Sequence, residues 1–310
     1  MSILDQAQRL AASGRRGEAV ALVESEARRG DGEALFALAN WRLYGLFGAR
    51  DPAAAHPLLE RAAAAGWADA TRLRANLLAN GTGCAADPEA ALALLRAAFP
   101  DDPQIAVLQG MDDSEPTVEP LSEEPPVRFV RSLFSRAECE YLMALAAPAL
   151  RPSVIIDDVT RRPKPDPVRT SDGMNFGPAQ EDLVVNALNR RIAAATGTAY
   201  EAGEPLHVLR YVPGQEYRPH LDALPGAGNQ RSWTALVYLN EGYEGGETVF
   251  DRIGLSAKGG AGDCLVFRNV DAEGRGDPRA RHAGAPVTEG VKWLATRWIR
   301  ERPFDPFAPA

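Results

Sequence analysis

Tyr217-Arg218-Pro219-His220-Leu221-Asp222 is the stretch from which both architecture and chemistry can be read. In an extended strand, side chains two apart share a face, so the His220 imidazole and the Asp222 carboxylate converge on one point. A second imidazole, from His282, completes a set of two histidines and one carboxylate. Such a facial triad holds a divalent metal on three adjacent positions and leaves the other three open. A His-x-Asp pair by itself is usually a surface hydrogen-bonding pair, so the blocks around it decide its meaning.

Upstream lies Tyr211-Val212-Pro213-Gly214-Gln215-Glu216, and downstream come Arg231-Ser232-Trp233-Thr234, Tyr238-Leu239-Asn240 and Gly245-Gly246-Glu247-Thr248-Val249-Phe250. The closing blocks are His282-Ala283-Gly284-Ala285-Pro286-Val287, Gly290-Val291-Lys292-Trp293 and Trp298. In this order and spacing, about residues 127 to 303 resemble the catalytic domain of the prolyl 4-hydroxylases, within the Fe(II)/2-oxoglutarate dioxygenases.

The resemblance implies that His220, Asp222 and His282 are iron ligands. Lys292, ten positions after the distal histidine (292 − 282 = 10), would pair with the far carboxylate of 2-oxoglutarate. Bare chemistry agrees, because a buried carboxylate needs a charged partner to offset its desolvation. Tyr211, Tyr217, Thr248 and Tyr238 match positions that line the co-substrate pocket, and Glu204, Arg231 and Trp298 match positions that meet a peptide substrate. Tyr238 and Trp298 also fit core aromatics on alternating strands. His56 and His207 lack such context and read as structural.

The implied reaction uses Fe(II), 2-oxoglutarate and O2, with ascorbate as reductant, and yields succinate, CO2 and a hydroxylated prolyl residue in a peptide or protein. Related halogenases lack the carboxylate ligand, so Asp222 favours hydroxylation. Two other readings stand beside this one: hydroxylation of a free amino acid or small molecule, and an adaptor whose oxygenase fold is idle.

The 310 residues suffice for two cores, and a formal charge of −8 argues against nucleic acid as the main partner. Arg161, Arg162, Lys164 and Arg169 nevertheless crowd one basic segment. No run approaches the length of a membrane span, and the first residues show no basic and apolar targeting pattern, so a cytoplasmic protein without a membrane partner is expected. Cys84, Cys139 and Cys264 are far apart and odd in number, which suits a reducing compartment.

The fold class expected is multidomain α and β. Over residues 1–110, Leu22, Glu24, Gly30 and Ala34 recur as Leu58, Glu60, Gly66 and Ala70, and Asp51-Pro52 recurs as Asp87-Pro88, each 36 apart. A period in the mid-thirties denotes stacked helical hairpins, an α-solenoid resembling Sel1-like repeats of the tetratricopeptide class. Its face would recruit a peptide or partner protein, or serve in packing. Ala54, Leu58, Leu59 and Ala62 form one helical stripe ended by Gly66.

Residues 111–126 are acidic and proline-broken and read as an extended linker rather than an element. In the dioxygenase domain, 127–310, Val127 to Phe134 reads as a strand, and Ser135-Arg136-Ala137-Glu138 as a capping box opening a helix to about Ala147. Short strands then fall at Leu206–Val212, Thr234–Leu239, Glu247–Phe250, Cys264–Phe267 and Trp293–Ile299. The resemblance makes this a double-stranded β-helix, a jelly roll with supporting helices. Residues 157–180, rich in proline and glycine, read as a mobile loop without regular structure over the site.

Overall fold

The structure, a computed structural model, describes residues 2–112, 114–156 and 163–307. It divides into two compact units, residues 1–109 with 178–186, and residues 110–177 with 187–310.

The first unit holds α1 (Ile3–Ala12), α2 (Arg16–Arg28), α3 (Gly32–Tyr44), α4 (Pro52–Ala64), α5 (Ala68–Asn80), α6 (Pro88–Ala98) and α7 (Pro103–Gln109). The 36-residue period is visible in the starts: α3 and α5 differ by 68 − 32 = 36 and α4 and α6 by 88 − 52 = 36. Local chemistry repeats with it. Asp51 and Asp87 cap α4 and α6 by accepting from the N–H groups of Ala54 and Ala90, with proline at the first helical position. Gly45 and Gly81 close α3 and α5 in the left-handed region. The helices pack through small and medium residues, among them Ala34, Leu35, Leu43, Ala55, Leu59, Ala70 and Leu77, all buried.

The second unit is built on strands β1 (Thr117–Ser122), β2 (Val127–Arg131), β3 (Arg151–Pro152), β4 (Val154–Ile156), β5 (Pro163–Pro165), β6 (Asp172–Phe176), β7 (Leu206–Tyr211) and β8 (Tyr217–His220). These are followed by β9 (Arg231–Tyr238), β10 (Glu244–Gly245), β11 (Thr248–Phe250), β12 (Leu255–Ala257), β13 (Cys264–Arg268), β14 (His282–Gly284), β15 (Val287–Glu289) and β16 (Lys292–Arg300). Helix α8 (Arg136–Ala146) starts at the Ser135 capping box, and α9 runs Leu183–Thr196.

An eight-stranded antiparallel sheet in the order β1-β2-β13-β9-β16-β7-β6-β3 faces a four-stranded one, β12-β11-β14-β8, as in a jelly-roll oxygenase. Their inner faces share one apolar core containing Phe129, Leu209, Leu236, Tyr238, Phe250, Phe267 and Leu294.

Two expectations are corrected. Thr117–Ser122, inside the stretch read as a linker, is an edge strand paired with Val127–Arg131, because its side chains, Glu119 among them, stay largely in solvent and leave the backbone free to pair. Within 157–180, the part at 157–162, with Arg161 and Arg162, lies outside the described residues, but Pro163–Pro165 pairs with β4 and Asp172–Phe176 pairs along β7. Glycine at 173 permits that pairing, since a Cβ there would sit 2.4 Å from His207 Nε2.

Gly262 shapes the turn into β13. It has φ +89°, and a Cβ would lie 1.9 Å from the Phe134 carbonyl, while its own carbonyl accepts from the Phe134 N–H. Gly262→Ala is therefore expected to destabilise the chain by about 2 kcal/mol or more, from backbone strain and collision together. Urea unfolding at neutral pH checks this.

Candidate metal and 2-oxoglutarate site

The triad is assembled by strand register. In the antiparallel pairing of β8 with β14, His220 and His282 are direct cross-strand partners, and their rings lie 4.3 Å apart. The strand ends at His220, so Asp222 is not its in-strand neighbour; the bend that follows delivers the carboxylate. One ligand atom from each of the three residues falls within 4.8 Å of the others. Asp222 Oδ1 is 3.5 Å from His220 Nε2, and Oδ2 is 3.7 Å from His282 Nε2.

Hydrogen bonding fixes the tautomers. Nδ1 of His220 meets the Arg218 carbonyl at 2.8 Å and Nδ1 of His282 meets the Ala280 carbonyl at 3.0 Å. A carbonyl only accepts, so both Nδ1 atoms carry the proton and both Nε2 lone pairs face Asp222. Burial pushes the His282 imidazole down to about 4, so it is neutral at pH 7. Burial opposes ionisation of Asp222, yet His282, His220 and the Thr234 hydroxyl together hold its carboxyl well below the ordinary range. Two lone pairs and a carboxylate thus converge with no proton between them. His220 Nε2 is buried without a hydrogen-bond partner among the described residues. The donor set fits a divalent transition-metal cation, Fe(II) among them.

Behind the carboxylate stands a relay that sequence reading missed. Thr234 Oγ1 donates to Asp222 Oδ2 at 2.6 Å, and Asn269 Nδ2 donates to Thr234 Oγ1 at 2.8 Å. Both residues are buried. Their only sequence signal is a polar residue on an otherwise apolar inward face.

A cavity opens on the triad and runs along the inner face of β16, where Lys292, Leu294, Thr296 and Trp298 follow one another. Six residues of strand span about 20 Å, so Lys292 and Trp298 mark opposite ends. Lys292 is cross-strand partner to Tyr211 and is 3% exposed. Its Nζ donates to the Gly246 carbonyl at 2.6 Å, and it forms no salt bridge among the described residues. An ammonium this buried is a ready partner for an incoming anion.

Tyr211, Tyr217 and Thr248 line the same cavity, and Tyr217 stacks on His220 with ring centroids 3.6 Å apart. Tyr238 does not line it: its hydroxyl is bonded to Thr248 Oγ1 at 3.0 Å and to the Ala257 carbonyl at 3.2 Å. Of the three residues matched to substrate contact, Trp298 lines the far end. Glu204 is joined to Arg231 by two bonds, of 2.7 and 2.8 Å, and the Arg231 guanidinium lies 4.0 Å over the Trp298 ring. His207 packs near Trp298 and His56 bonds the Thr82 carbonyl, both in structural roles.

Comparisons with known proteins bear on the family. Residues 206–300 match the 2OG-Fe(II) oxygenase superfamily. Prolyl 4-hydroxylase 1 of Arabidopsis thaliana is 36% identical over 203 residues, covering 59% of this chain and 72% of the relative. Probable prolyl 4-hydroxylase 3 of the same plant is 36% identical over 205 residues, covering 58% and 71%. The solved viral collagen prolyl hydroxylase of Paramecium Bursaria Chlorella virus-1, in complex with 2OG, is 26% identical, covers 56% of this chain and 95% of its own, and has a TM-score of 0.45. The chain belongs to the 2OG-Fe(II) oxygenases, in the family of the prolyl 4-hydroxylases.

Two outcomes follow from the geometry. Thr234→Val removes the donor to Asp222 and is expected to weaken Fe(II) binding about 10- to 100-fold in anaerobic titration, with the circular dichroism unchanged. Burial holds Lys292 down to about 8, and only its protonated form can anchor a carboxylate. The KM for 2-oxoglutarate should thus rise as pH climbs through 8, by about tenfold per unit. In Lys292→Ala it should be raised about 30- to 100-fold at neutral pH and lose that pH dependence, with the iron requirement little changed.

Proposed function

We propose that this protein hydroxylates a prolyl residue in a peptide or protein, using Fe(II), 2-oxoglutarate and O2, with ascorbate maintaining the metal. The observation that carries the reading is the convergence, in one cavity, of two imidazole lone pairs and a carboxylate beside a buried lysine that forms no salt bridge among the described residues. The relatives' names supply the prolyl substrate class.

His220, Asp222 and His282 would hold the iron, and Lys292 would take the distal carboxylate of 2-oxoglutarate, with Thr248, Tyr211 and Tyr217 lining its pocket. When bound, this pair would supply reductive activation of O2 coupled to oxidative decarboxylation of 2-oxoglutarate to succinate and CO2. The chain's own residues orient and enclose. The Thr234–Asn269 relay fixes the carboxylate rotamer, the two backbone carbonyls fix both imidazole tautomers, and Leu209, Leu236 and Leu294 keep the cavity apolar between its ends. Substrate would approach at the Trp298 end. Arg231 is committed to Glu204, so it serves by holding the Trp298 face in place.

On this reading the second unit is a double-stranded β-helix oxygenase domain. The first is an α-solenoid of Sel1-like hairpins available to peptides. Free thiols at Cys84, Cys139 and Cys264 accord with a cytoplasmic location, and among the described residues no helix is long and apolar enough to cross a membrane.

Offered proline-containing peptides with Fe(II), ascorbate and 2-oxoglutarate, the purified chain should form succinate and add one oxygen atom to the peptide, located by mass spectrometry. His282→Ala should abolish both, because two protein ligands retain iron poorly. Succinate formation driven by free proline but by no peptide would overturn the substrate assignment.

A further inference from the structure

Residues 178–186, a turn and the first residues of α9, group with the helical unit although β6 before them and the rest of α9 after them belong to the other unit, and they are gripped largely through their main chain. Asn76 and Asn80 lie four apart on α5 and therefore on one face. Their Nδ2 groups donate to the carbonyls of Ala179, at 2.9 Å, and Pro178, at 2.8 Å. Gln104, on α7, accepts the Leu183 N–H through Oε1 at 3.0 Å, and Tyr44, at the end of α3, bonds the Gln180 side chain. Ala179 packs on the core that holds Leu35, Leu43 and Leu77, while Leu183 enters the cluster of Ala75, Ala79, Ala91, Leu95 and Ile105.

Three alternate helices therefore present polar groups to one short stretch. What they read is two successive carbonyls and one amide, together with small apolar side chains. The stretch is a turn, Pro178–Gln180, leading to the first residue of α9, and stacked helical hairpins carry faces suited to peptide ligands.

We propose that this face is a peptide-binding site for a Pro–Ala turn, that Pro178–Leu183 is its resident ligand, and that a partner polypeptide carrying such a turn binds by displacing it. The consequence is competition. A tethered ligand acts at an effective concentration on the order of millimolar, so a free peptide meets a face already filled. Recruitment through the helical unit then depends on the partner outbidding the chain itself, by affinity or by multivalency.

The test uses the full chain and a fluorescently labelled peptide of the sequence 176–184, followed by anisotropy without iron or co-substrate, so it stands apart from the hydroxylase assignment. Ala179→Glu places a charge in the resident segment's apolar contact and should evict it, tightening binding of the labelled peptide about tenfold or more over wild type. Adding Asn76→Ala and Asn80→Ala to that variant removes two hydrogen bonds and should weaken binding about tenfold. Equal affinity of wild type and Ala179→Glu, or indifference to the asparagines, overturns the proposal.

A second measurement covers misfolding of the variants. In wild type, cleavage after Glu181 by a glutamate-specific protease, mapped by mass, should accelerate when the unlabelled peptide is added at millimolar concentration. Unchanged cleavage overturns the displacement.

Discussion

The pairing of β8 with β14 is the interaction on which the site depends. It makes His220 and His282, separated by 62 positions (282 − 220 = 62), direct neighbours across an antiparallel ladder. Because side chains alternate along a strand, a slip of one residue would turn His282 to the opposite face and leave two ligands on one side. The backbone also fixes which nitrogen of each imidazole is free, since both Nδ1 atoms are spent on carbonyls two residues upstream. The direction of both free lone pairs is thus set by main-chain hydrogen bonds.

A second constraint is the separation of charge along β16. Lys292 stands at one end of the inner face and Trp298 at the other, with Leu294 and Thr296 between. A buried ammonium stands at one end, and the aromatic wall at the other is held by the partly buried Arg231–Glu204 pair. A partly buried charged pair of this kind contributes orientation more surely than stability.

Much of this was legible in the sequence because the informative features are short spacings. His220 and Asp222 are two apart, and Lys292 follows His282 by ten, within one turn and two short strands. The 36-residue period showed in residue types and returns in the helix starts. Thr234 and Asn269 were not legible, because what makes them matter is a hydrogen bond across strands 35 residues apart. Tyr238 was placed in the cavity lining by matching, whereas its hydroxyl is taken by Thr248 and Ala257. Composition misled at Thr117–Ser122 and Asp172–Phe176, since an edge or a paired partner can order a strand that its own residues do not favour. Nor could composition show that Pro178–Leu183 would leave its sequence neighbours for the helical unit.

The edge strand Thr117–Ser122 has a bearing on how the chain behaves in a crowded solution. An outermost strand offers a row of unpaired amides and carbonyls to any extended polypeptide it meets. Here the row is interrupted by Pro120, which has no N–H, and is flanked by Glu119, whose carboxylate is tied to Arg131 at 2.8 Å. An eight-stranded sheet open at this side therefore resists growing a ninth strand from a neighbouring molecule. The acidic, proline-broken composition that conceals the strand from a reader of the sequence also conceals it from other chains.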